Sequence, residues 1–176
     1  MTGSHRRIGY FHSARELGNP LDFLVEDNTR ERGICDLLDQ IAQSAAPEAA
    51  DVTTVITYLK EELPLHLQDE NEDLVPLMRL RCKAEDRIDD VITRLHSNHG
   101  HAMVDLPAIV SLLGKATPMS QRTRRMIRNF ASHARSHISV ENAILLPIAR
   151  VRLKANDLDK MRRHMLERRG LHRVIG

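Results

Sequence analysis

His66 and Glu70 stand four residues apart, and so do His137 and Glu141. On an α-helix that spacing puts both side chains of a pair on one face. An imidazole nitrogen beside a carboxylate oxygen is metal-ligand chemistry, because iron, manganese and zinc accept mixed nitrogen and oxygen donors. The two pairs are also related to each other. Seventy-one residues separate them, and the surrounding sequence repeats in the same register. His66-Leu67-Gln68-Asp69-Glu70-Asn71 leads into Pro76-Leu77-Met78-Arg79-Leu80-Arg81, and His137-Ile138-Ser139-Val140-Glu141-Asn142 leads into Pro147-Ile148-Ala149-Arg150-Val151-Arg152. His12/Glu16 and His101/Asp105 share the spacing but have no counterpart in this register. A lone pair of this kind is more often a surface ion pair. Two in register favour a cation held between two helices, since a buried carboxylate needs a strong partner.

The same register locates further candidates. A site inside a bundle needs donors from the other two helices. His99 lies one turn after Leu95 on an apolar stripe, and seventy-one residues earlier Leu24 is followed one turn later by Asn28. Asn28 offers a carbonyl oxygen, a weaker ligand than imidazole. The expected metal set is therefore His66, Glu70, His99, His137 and Glu141, with Asn28 and His133 as weak ligands or supporting neighbours. Two bridging carboxylates suit a dinuclear centre whose open positions take a small ligand such as dioxygen. The spacing differs from the Glu-x-x-His pattern of ferritin-like carboxylate proteins. Cys35 and Cys82 lack CxxC spacing and read as packed thiols.

These residues need long helices to carry them. Asn19-Pro20 has the form of a cap followed by proline at the first helical position. Leu24, Val25, Ile34, Leu37, Leu38 and Ile41 continue a helical stripe to about Ala45. A second helix opens at Pro47 and carries Val52, Val55, Leu59, Leu63 and His66, with Pro64 expected to bend it and an end near Cys82. A third runs from about Lys83 through Ile88, Ile92, Leu95 and His99, and Pro107 is expected to kink or break it. Ser120 leads into a fourth, with Ile127, Phe130, Ala134 and His137 on one side. A short last helix, about Asp157 to Arg168, ends at Gly170. The expected fold is all-α: an antiparallel up-down four-helix bundle with a short C-terminal helix. The division is a flexible arm at 1–18, the bundle at 19–152, and a basic helix and tail at 153–176.

Composition agrees. A chain of 176 residues with 41% hydrophobic and 28% charged residues is long enough for one real core. No tryptophan and only five other aromatics leave that core to Leu, Ile, Val, Ala and Met. No apolar run reaches the roughly 18 residues of a membrane span, and two lone cysteines form no disulfide framework. A cytoplasmic location is expected. Basic runs (Lys115, Arg122, Arg124, Arg125, Arg128 and Arg135, then Arg162, Arg163, Arg168, Arg169 and Arg173) read as solvated faces. Without interleaved aromatics, nucleic acid is not an expected partner.

At this point the chain resembles the hemerythrin-like, HHE cation-binding family, in its bacterial branch. That family carries a His on helix 1, His-x-x-x-Glu on helix 2, a His on helix 3 and His-x-x-x-Glu on helix 4. His66/Glu70, His99 and His137/Glu141 match it, and Asp22-Phe23-Leu24, Arg30-Glu31-Arg32 and Glu72-Asp73-Leu74-Val75-Pro76 are also similar. The resemblance spans roughly residues 20–150, and Asn28 departs from it where the family has its first His. It implies a non-haem iron protein, with two irons expected, or one if the Asn28 position fails. Manganese and zinc suit the same donors. The implied function is binding or sensing of dioxygen or redox state, or buffering of iron, without an identifiable catalytic acid, base or nucleophile. The competing expectation is a partly metal-deficient interaction module that meets a protein partner through its basic surfaces.

Overall fold

A computed structural model describes residues 17–115 and 118–171; the side chains of residues 98, 99, 101 and 102 lie outside what it describes. The greater part of the N-terminal arm and residues 172–176 of the tail are likewise outside the described residues. Helix α1 is Pro20–Gln43, α2 covers residues 49–81, α3 is Ile88–Leu113, α4 covers residues 121–152, and α5 is Ala155–Arg168. Around the bundle α1 meets α2 and α4, and α3 meets the same two. All regular structure among the described residues is helical.

Local chemistry explains the ends. Asn19 caps α1 by accepting the Leu21 N–H at 2.9 Å, with Pro20 at the first helical position. At the other end Arg124 donates to the carbonyls of Ala42 and Ser44 at 2.7 and 2.8 Å, a cation on a helix C-terminus. Ser120 caps α4 through the Thr123 N–H. Gly170 takes a φ of 68°, and the Gly170 and Leu171 N–H groups close back on Glu167 and Leu166. This is the left-handed glycine ending of a helix.

The prolines are accommodated inside their helices. Pro64, Pro76 and Pro147 do not interrupt their helices; each follows closely a stretch of π-helix, at Tyr58–Glu62, Glu70–Leu74 and Glu141–Leu145. A proline ring collides with the carbonyl four residues back, here Lys60, Glu72 and Ala143, and each of these lies in the widened turn. The wider turn removes the clash without ending the helix. Pro107 neither breaks nor ends α3, which continues unbroken to Leu113.

The core comes in two apolar clusters. One joins the start of α1 and α3 (Leu21, Leu24, Ile92, Leu95) to the end of α2 and α4 (Leu74, Met78, Leu145, Leu146). The other joins Ile34, Leu38 and Ile41 to Leu59, Ile109, Ile127 and Phe130 at the opposite end. Between them lies a belt of buried polar side chains: Asp27, Asn28, Glu31, His66, Asp69, Glu70, His137 and Glu141.

Helix α5 places Met161, Met165 and Leu166 in the first cluster. Met161 and Met165 sit one turn apart on its apolar face, so helix and bundle share one core. The basic runs need correction. Arg169, with its side chain 2% exposed, pairs with Asp69 at 2.6 Å, and Arg168 reaches Asp69 at 2.8 Å and Asp73 at 2.6 Å. Arg162 donates to the Leu17 carbonyl, and Arg135 pairs with Asp36 and Asp39. Arg122, Arg125 and Arg128 do lie on the surface, while Arg173 is outside the described residues.

The sequence repeat is also a structural one. Arg81 donates two hydrogen bonds to Asp157, at 2.8 and 2.9 Å, and Arg152 donates two to Asp86 at the same distances. Seventy-one residues relate Arg81 to Arg152 and Asp86 to Asp157. Each aspartate also accepts the backbone N–H three residues before it, from Lys83 or Lys154. The arginine bonds, first, and that backbone bond hold both carboxyls below the ordinary 3.8. Their stabilising effect is therefore complete above about pH 4 and is lost as pH falls through the folded values.

Burial orders the two kinds of ion pair. Arg169→Ala should cost on the order of 3 kcal/mol, because it leaves Asp69 buried and only partly compensated. Arg81→Ala, at a side chain 29% exposed, should cost clearly less because solvent screens the pair, and its difference from wild type should shrink below pH 4. Urea denaturation in metal-free buffer tests both; equal losses for the two variants would contradict this ordering.

Candidate metal centre

Helices α2 and α4 present their His-x-x-x-Glu faces to each other across the polar belt. His66, Glu70, His137 and Glu141 each offer one donor atom, and these atoms all lie within 4.8 Å of one another. Glu70 Oε1 is 3.2 Å from the Nε2 atoms of both His66 and His137, one on its own helix and one across the bundle. Glu141 Oε2 lies 3.6 Å from His137 Nε2 and 4.0 Å from His66 Nε2. None of the four residues is more than 3% exposed. Each His stands one turn before the π-turn that begins at its own Glu, so the strain relief for Pro76 and Pro147 falls where the donors converge.

Electrostatics reflect the cost of this arrangement. Burial alone would raise Glu70, but the imidazoles of His137 and His66 outweigh it and hold the carboxyl well below its usual range. Burial, reinforced by repulsion from Glu70, lifts Glu141 well above that range, against the pull of His66 and the Asn28 hydrogen bond. Burial opposes protonation of His66, yet Glu70, Glu141 and Glu31 together raise it to about 10. Two buried carboxylates thus need positive charge from their neighbours, and protons supply it when nothing else does. The donor set fits a cation. Glu141 Oε1, Asn28 Oδ1 and both His66 ring nitrogens are buried without a hydrogen-bond partner, an unusual concentration of unsatisfied groups for a protein interior.

Of the residues expected from the sequence, the structure brings His66, Glu70, His137 and Glu141 into one cluster. Asn28 is fully buried beside it, and its amide nitrogen donates to Glu141 Oε2 and to Asn142 Oδ1, both at 2.9 Å. It meets the cluster as a donor to a carboxylate. His133 is half-buried one turn before His137 and is not among the four. His99 belongs to α3 between the two apolar clusters, and its side chain lies outside the described residues. Cys35 is buried, and burial with the nearby Glu31 carboxylate pushes its thiol up to about 12, which keeps it protonated and unreactive.

Spacing alone missed three acids. Asp27 lies 3.5 Å from His66 Nδ1. Glu31, buried one turn further along α1, raises His66, Cys35 and Tyr58 together. Asp69 sits fully buried beside Glu70. The signal was available in α1, where Asp27, Asn28 and Glu31 continue the inward stripe begun by Leu24 instead of leaving it.

Four helices around paired His and Glu side chains define a helical-bundle cation-binding protein. The family model of the hemerythrin HHE cation binding domain matches residues 19–149, and the chain belongs to that family. Among curated proteins, none shows significant similarity to it.

Metal ligands must be deprotonated, and His66, raised to about 10 by its acidic neighbours, must give up a proton to bind. Loading should therefore release protons and strengthen as pH rises. Calorimetric titration with Zn(II) in buffers of different ionisation enthalpy measures the release; heats independent of the buffer would contradict it.

Proposed function

We propose that this protein is a non-haem iron protein that binds or senses dioxygen, redox state or a related small ligand, and that it is not an enzyme. The observation that carries this reading is the buried His66/Glu70/His137/Glu141 cluster. Glu70 Oε1, equidistant from two imidazoles on different helices, supports this reading, because Glu70 and both imidazoles would together hold a cation there. Two irons are the expected complement, and the α1 side is the weaker because Asn28 stands where an imidazole would complete it. When bound, the metal supplies open coordination positions for a small ligand. The residues around it exclude bulk water and hold the donors in place. Manganese or zinc would compete for the same atoms.

The alternative, a partly metal-deficient interaction module acting through basic surfaces, draws on Asn28 and on the exposed Arg122, Arg125 and Arg128. It is weakened by the inward pairing of Arg168 and Arg169 and by the Arg124 bonds to the end of α1. Among the described residues no helix is long and apolar enough to cross a membrane.

Anaerobic loading with Fe(II), metal analysis and an absorption spectrum under air test the proposal together. The expected result is up to about two irons per chain, bound by the bundle's facing side chains, with oxo-bridge absorption. A chain that folds and takes up no iron would sink it. Asn28→His should raise the iron content; an unchanged content would place residue 28 outside the ligand shell.

A further inference from the structure

The His66 ring has a carboxylate at each nitrogen. Nε2 faces Glu70 at 3.2 Å, inside the cluster, and Nδ1 faces Asp27 Oδ2 at 3.5 Å, behind it. Asp27 is 4% exposed, and its other oxygen accepts from the Arg30 guanidinium. His66 Nδ1 and Asp27 Oδ2 have no other hydrogen-bond partner, and both are buried. Two unsatisfied atoms of opposite hydrogen-bonding character thus face each other across a gap slightly wider than a hydrogen bond.

The repeat shows that this carboxylate is peculiar to one half of the molecule. Seventy-one residues after Asp27-Asn28 the sequence reads Asn98-His99. The α3 half carries an imidazole with no acid before it. The α1 half lacks the imidazole and carries an acid instead. A neutral imidazole has one N–H and one lone pair, and the partner of the N–H decides which nitrogen is free to bind a cation. A carboxylate on the far nitrogen fixes that choice and makes the near nitrogen a stronger donor.

We infer that Asp27 is a positioning residue for His66: it holds the Nδ1–H, directs the Nε2 lone pair into the cluster, and strengthens the one imidazole on the half of the site where Asn28 stands. The inference rests on the cation-binding reading of the cluster. Helix α1 then serves the centre from behind, with Asp27 on His66 and the Asn28 amide on Glu141.

Zn(II) alone, titrated into the full-length chain, is the probe. Long-range proton–nitrogen correlation spectra of the zinc-loaded wild type should show His66 with a protonated Nδ1 and a metal-bound Nε2. Asp27→Asn should weaken Zn(II) binding on the order of 10- to 100-fold, and Asp27→Glu, which keeps the carboxylate, should recover part of the loss. Thermal unfolding in the presence of chelator separates any loss of fold from loss of affinity. A metal-bound Nδ1 in the wild type overturns the inference even if the variants fail to fold. So does an Asp27→Asn variant that folds and binds Zn(II) within about twofold of wild type. A folded wild type that takes up neither Zn(II) nor Fe(II) overturns the cation-binding reading and this inference with it.

Discussion

Two carboxylates, Glu70 and Glu141, are buried within reach of the same two imidazoles in the middle of a helical bundle. Burying one charge is costly, and burying two of the same sign together is more so. Every other feature of the midsection answers to that constraint. The apolar core divides into two clusters because no leucine can occupy the layer between them. Helix α1 keeps Asp27, Asn28 and Glu31 inward in that layer. The surrounding carboxylates draw a proton onto His66, raised to about 10, and a cation supplies the balance more directly.

The duplicated architecture makes this arrangement attainable. Each half contributes a helix with a His, a Glu four residues later, a π-turn and then a proline. In both copies the proline follows the wide turn, and the wide turn begins at the Glu, so a backbone adjustment and a ligand position coincide. At the bundle end the tails of α2 and α4 meet, and the reciprocal Arg81–Asp157 and Arg152–Asp86 bonds tie each half to the start of the helix that follows the other. Each latch is exposed enough to contribute modestly. Their matched geometry shows that the two halves share more than the residues of the site.

Much of this was legible in the sequence, for identifiable reasons. The His66 and His137 faces could be read because helical periodicity maps spacing directly onto direction, and the repeat gave an internal check on each position. The helix ends at Asn19-Pro20, Ser120 and Gly170 could be read because capping depends on a few local atoms. The π-turns before Pro64, Pro76 and Pro147 were not legible because sequence shows the missing N–H but not the wider turn that absorbs it. The arginines at the end of α5 looked like a solvated face because charge in a sequence carries no partner; Asp69 lies 100 residues from Arg169. Asp27 escaped for the opposite reason, since it touches the site through a nitrogen that ligand spacing does not consider.

That long-range pairing also bears on the site's charge. Helix α5 lies beyond the stretch matched by the family model, yet Arg168, Arg169 and His164 are fixed on Asp69 and Asp73. Arg169 also stacks on Phe23, its guanidinium carbon 5.0 Å from the ring centre, and Arg30 approaches the same ring at 5.7 Å. Asp69 and Asp73 flank Glu70 along α2. Left uncompensated, they would add two negative charges beside a carboxylate that already faces Glu141. By neutralising them from outside the ligand set, α5 leaves the charge of the cluster to be balanced by the imidazoles and the cation alone. Arg30 performs the same service for Asp27 on α1. The acids around the centre therefore differ in partner: Asp27, Asp69 and Asp73 are met by arginine, whereas Glu70 and Glu141 face the histidines and, for Glu141, the Asn28 amide.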